Sequence, residues 1–163
     1  MEGRMSIITD MSEPERQSWI TLLADGFVFV WFWKAIAPGW SLNPSNLSPG
    51  ETGELFLKLV IITIFYHAVI GIIFSVRRRQ GEVDRDERDV AIQSFGSRVG
   101  YIALHAGVGL TTVGILMSYI IADEYTGSIA FETPVEILFS LVFVSYVADL
   151  MRHGAVVLRY RAT

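Results

Sequence analysis

Four ionisable side chains stand in stretches that are otherwise almost wholly apolar: Asp25, His67, His105 and Asp149. At membrane depth such a group costs roughly 2.5 to 3.5 kcal/mol on insertion scales, so each calls for a partner or a purpose. Neutral imidazole and carboxylate ligate several metal ions, and no local motif singles one out. A metal would be held by His67, His105 and Asp149, with Asp25 and His153 as further candidates, and the same groups could hold another ion or protons. His67 and His105 are also a candidate axial pair for a haem iron, with Gly71, Gly107 and Gly109 leaving room for a flat macrocycle. Plainer readings stand beside these. A single intramembrane histidine is often a hydrogen-bonded packing residue, and Asp149 can pair with Arg152 or His153. No arrangement of nucleophile and general base points to an enzyme. The absence of cysteine excludes disulfides, thiolate metal sites and thiol catalysis.

The elements that must position these groups are helices in a bilayer. At 52% hydrophobic residues and a mean hydropathy of +0.43, the 163-residue chain is too apolar for an ordinary soluble domain. Four stretches reach the roughly 20 apolar residues that a helix needs to span the hydrocarbon: Trp19 to Ala37, Leu55 to Val76, Val99 to Ala122 and Val135 to Leu158. The expected fold is all-α, an integral membrane four-helix bundle over residues 17–163. Residues 1–16, rich in charge and without the pattern of a cleaved signal, form a cytoplasmic N-terminal segment.

Every Lys and Arg except Lys34 and Lys58 lies before span one, between spans two and three, or at the end of span four. The positive-inside rule then puts both termini in the cytoplasm, consistent with a bacterial inner membrane. Trp31, Trp33, Trp40, Tyr119 and Tyr125 would form the outer aromatic belt, with Trp19 and Tyr160 near the inner interface. Each span is preceded by a capping-box pair: Ser12 with Glu15, Ser48 with Glu51, Asp84 with Glu87 and Thr133 with Glu136. Pro49 and Pro134 fall at first helical positions, and the third helix is expected to begin near Arg85.

At about 1.5 Å per residue, Asp25, His67, His105 and Asp149 all lie roughly 9 to 15 Å beyond cytoplasmic markers, so an antiparallel bundle could gather them in one layer. Helical spacing extends them into stripes: Thr63, His67, Gly71 and Ser75; Arg98, Tyr101, His105 and Thr112; Ser145, Asp149 and His153, with Tyr146 beside Asp149. The third helix also carries Gly96, Gly100, Gly107 and Gly114. Gly107 is about 200° from His105 in helical angle. Packing alone is the plainer reading of the stripe, but with His105 facing the bundle centre it would face outward or toward a neighbouring helix, where close approach favours a second protomer, which predicts a homodimer through helix three. Residues 77–98 open with three arginines and continue through Asp84, Asp86, Glu87 and Asp89; they are a candidate surface for a cytoplasmic partner or anionic lipid. The acids are equally explained as first-turn charges that offset the helix dipole. Nothing points to direct nucleic-acid binding.

The run Asp86-Glu87-Arg88-Asp89-Val90-Ala91-Ile92, followed by Gly96, Arg98 and Gly100-Tyr101, resembles an uncharacterised bacterial family of small multi-span membrane proteins with a D-E-R-x-x-x-I segment leading into a transmembrane helix. The resemblance covers about sixteen residues. It implies no activity, but it does imply a soluble partner, since some members accompany small helix-turn-helix transcriptional regulators. The leading expectation is therefore a buried polar cluster that binds an ion, a metal or protons. The alternatives are a bis-histidine haem electron-transfer protein and a non-catalytic membrane partner of a cytoplasmic protein.

Overall fold

The computed structural model describes residues 11–37, 48–79, 86–120, 131 and 133–162. Four helices account for nearly all of them: α1 Glu13–Ile36, α2 Pro49–Arg79, α3 Glu87–Ile120 and α4 Pro134–Ala162. No strand occurs among the described residues. Each helix is long and apolar enough to cross a membrane.

The helices start earlier than their apolar cores because their caps are built as the residue types dictate. At α2 the Glu51 carboxylate accepts from the Ser48 N–H at 3.0 Å and hydroxyl at 2.6 Å, while the Glu51 N–H donates to Ser48 Oγ at 3.4 Å. At α4 the Thr133 N–H donates to Glu136 at 3.1 Å and the Glu136 N–H to Thr133 Oγ1 at 3.3 Å. The box at α1 is only half closed. The Glu15 N–H donates to Ser12 Oγ at 3.4 Å, but the Glu15 carboxylate turns to Arg161 of α4, with Oε1 3.1 Å from Nε. The third helix begins at Glu87 rather than near Arg85, and its expected cap Asp84 lies outside the described residues.

The tightest packing is α3 on α4, followed by α4 on α1 and α1 on α2, so the helices run in the order α2, α1, α4, α3. Glycines make the first of these contacts. A Cβ on Gly96 would fall 2.9 Å from the Arg152 carbonyl oxygen, one on Gly100 2.8 Å from Arg152 Cβ, and one on Gly107 2.8 Å from Val144 Cγ2. The glycine stripe is therefore consumed within the chain, where the missing side chains let two backbones approach. This corrects the premise of the expected homodimer. The stripe turns to α4, and the opposite face of α3, with Tyr101 and His105, is left exposed.

One end of the bundle carries the start of α1, the start of α3 and the end of α4. There Glu15 meets Arg161, the Tyr160 hydroxyl donates to Asp89 at 2.7 Å, and Gln93 Nε2 donates to Ser18 Oγ at 3.4 Å. This is the terminal end; the expected span pattern makes it the cytoplasmic one. The buried face of α1 changes character along its length. Glu15, Ser18, Thr21 and Asp25 are followed by Val28, Phe32 and Ile36. The apolar half joins Phe56, Leu59, Phe139 and Tyr146 in a core at the far end, with Phe32 and Phe56 ring centroids 5.2 Å apart and those of Trp33 and Phe143 5.1 Å apart. Arg77, Arg78 and Arg79 close α2, but their side chains and residues 80–85, which belong to the proposed partner surface, lie outside the described set. Trp40, Tyr125 and the Tyr119 side chain of the expected outer belt lie outside it too.

Candidate functional site

Where the buried face of α1 passes from polar to apolar stands Asp25, at 1% exposure. The Tyr66 hydroxyl of α2 donates to its Oδ1. Its Oδ2 is buried with no hydrogen-bond partner. A buried carboxylate oxygen in that condition carries a full desolvation cost unless something positive compensates it.

His67, the residue after Tyr66, has Nδ1 3.1 Å from the Thr63 carbonyl oxygen of its own helix. A carbonyl only accepts, so Nδ1 carries the hydrogen, and in the neutral ring Nε2 is left with a free lone pair. That nitrogen lies 3.9 Å from Asp25 Oδ1. Asp149 reaches the same place from α4, and one ligand atom from each of Asp25, His67 and Asp149 falls within 4.8 Å of the others. No other such group occurs among the described residues.

The surrounding contacts hold these three in register. Thr63 Oγ1 donates to the Leu59 carbonyl at 2.8 Å, so its lone pairs accept from the Tyr146 hydroxyl of α4 at 2.5 Å. This bond ties α2 to α4 one turn from His67 and three residues from Asp149. The Tyr66 and His67 rings lie 4.4 Å apart between centroids, which stiffens the imidazole.

The chemistry of the set is one-sided. The groups that converge are acceptors: two carboxylates and an imidazole lone pair, with the Tyr66 hydroxyl as the donor that reaches Asp25. Asp25 is buried, Asp149 half-buried and His67 exposed, and acceptors gathered on a buried carboxylate call for a positive charge, either protons or a cation. A tetrahedral ion with bonds of about 2.0–2.2 Å keeps its ligands roughly 3.4 Å apart, so the side chains would draw in by about 1 Å on binding one. Mixed oxygen and nitrogen donors suit divalent first-row ions.

Of the five expected ligands, Asp25, His67 and Asp149 are brought together. His153 is one turn along α4 from Asp149, within electrostatic reach of Asp149 and His67, and its buried Nδ1 has no hydrogen-bond partner. His105 is not part of the group. Its Nδ1 is 2.9 Å from the Tyr101 carbonyl oxygen, its ring lies 3.9 Å from that of Tyr101, and it is exposed. The glycine face of α3 seeks α4, which turns His105 outward, and α3 flanks the side of α4 away from the main α1 and α2 packing. Of the expected haem pair, only His67 belongs to the group.

Tyr66 escaped the sequence reading because an aromatic residue in a membrane helix is unremarkable. The polar approach along α1 was missed as well, although the sequence carries its signal: Glu15, Ser18, Thr21 and Asp25 recur at intervals of three or four. Comparison with protein-family models, with curated proteins and with solved structures finds no match to this chain.

Proposed function

We propose that this chain is an integral membrane protein, with both termini in the bacterial cytoplasm, that binds a divalent cation through Asp25, His67 and Asp149, His153 being the nearest candidate for a fourth ligand. The observation that carries this reading is the convergence of acceptors on a carboxylate that is buried and has one oxygen without a partner. Tyr66 would orient Asp25 as outer partners orient ligands in metal sites generally, and the Thr63 carbonyl would do the same for His67.

The test is direct binding of Mn²⁺, Co²⁺ and Zn²⁺ to chelator-stripped protein in lipid nanodiscs. One saturable site per chain is expected, weakened at least about tenfold by Asp25→Asn, His67→Ala or Asp149→Asn and unchanged by His105→Ala. An absence of stoichiometric binding sinks the metal. If a protonated-carboxyl infrared band then disappears in Asp25→Asn, the centre holds protons instead. A haem between His67 and His105 lacks geometric support, and protein expressed with added haem should show no Soret band.

A further inference from the structure

A groove of about 390 Å³ runs between α3 and α4 on the terminal half of the bundle, walled by Ser97, Tyr101, Leu104, Ser145, Asp149 and Arg152. Asp149 belongs to this groove and to the acceptor cluster at once. Its character sets it apart from the larger groove of about 670 Å³ between the same two helices, whose walls include Ile102, Leu110, Phe143 and Val147 and are almost wholly apolar. Two grooves on one helix pair thus differ in kind. One matches lipid tails; the other sets hydroxyls, a carboxylate and a guanidinium at a depth where lipid offers them nothing.

We infer that the polar groove is a water-filled vestibule through which the cation reaches Asp149 from the terminal end alone. This rests on the cation reading above. Beyond the acceptor cluster, the interior between α1, α2 and α4 is closed toward the far end by the aromatic core, in which Phe32 meets Phe56 and Phe139, and Trp33 meets Phe143. On the terminal side, one turn from Asp149, His153 Nδ1 is buried without a hydrogen-bond partner, a polar atom that water could satisfy. Arg152 sets a positive charge in the vestibule wall, which opposes cations while its guanidinium points inward; its long stem lets it swing to the interface.

The chain has no cysteine, so single cysteines can be placed without background. Ser97→Cys and Ser145→Cys test the polar groove, Ile102→Cys the apolar one, and Val28→Cys the aromatic core, with Ala162→Cys marking the terminal side. Charged, membrane-impermeant methanethiosulfonate reagents are applied to metal-free protein in vesicles of each orientation. Because only the hydrated thiolate reacts, Ser97→Cys and Ser145→Cys should be modified at least about tenfold faster than Ile102→Cys or Val28→Cys, and only from the side that labels position 162. Adding Arg152→Gln should raise the rate with the cationic reagent relative to the anionic one. Reaction at 97 and 145 no faster than at 102, or equal from both sides, overturns the vestibule. Labelling is read without metal and Mn²⁺ binding is measured separately. A vestibule that labels in a protein that binds no cation therefore refutes the site but not the groove, and the reverse pattern refutes only the groove.

Discussion

An unsatisfied carboxylate oxygen deep in a helix bundle costs stability, and Asp25 is the residue at which that cost can be measured. Asparagine keeps its shape and removes its charge. Asp25→Asn is therefore expected to leave the metal-free protein as stable as the parent or more stable, by about 1 to 3 kcal/mol, since the uncompensated charge is gone. Cation should no longer protect it. The parent should gain about 2.7 kcal/mol at a hundredfold excess of Mn²⁺ over Kd, because a ligand that binds only the folded state stabilises it by mass action. Thermal unfolding in detergent with and without Mn²⁺ reads both effects, and an Asn variant that unfolds more easily without metal would make Asp25 a structural residue. Tyr66→Phe should keep the fold and weaken cation binding about tenfold, the loss usual when a partner that orients a ligand is removed.

Helix α3 is held by its glycines, and the consequence differs from the one its sequence invites. Gly107→Leu drives a side chain into Val144, and overpacking of this kind costs about 1 to 3 kcal/mol. The expected result is a lower Tm with no change in oligomeric state, as read by unfolding and by light scattering in one detergent; a stable variant that only loses self-association would restore the dimer. The number of helices, the starts of α1, α2 and α4 and the all-α class were legible because capping pairs and apolar lengths are local properties. Ser48 with Glu51 and Thr133 with Glu136 close as their spacing requires. The angle between Gly107 and His105 was legible too, since helical periodicity fixes it. Which of those two faces turns inward was not. In water the apolar face is the buried one, but a surrounding of lipid removes that preference and packing decides. Tyr66 became visible as a site residue, and the partner of Tyr146 became known, only once α1, α2 and α4 were side by side, because the hydrogen bonds that define their roles join helices.

At the scale of the molecule, the order α2, α1, α4, α3 makes two hairpins of neighbours in sequence, α1 with α2 and α3 with α4, joined along α1 and α4. Asp25 and His67 come from the first hairpin and Asp149 from the second. A gene cut between Gly81 and Glu82, with the halves co-expressed, should give a complex that binds Mn²⁺, while neither half alone binds it; a half that binds alone would show the ligand set to be wrongly drawn. The same division bears on how the protein is made. The α1–α2 hairpin is made first, and it brings Tyr66 and His67 to Asp25 before α4 supplies Asp149. On the cation reading, metal supply during synthesis would then act as a checkpoint on biogenesis: in a starved cell the two hairpins would meet around bare negative charge, and the chain would stay longest in the form that membrane proteases can seize.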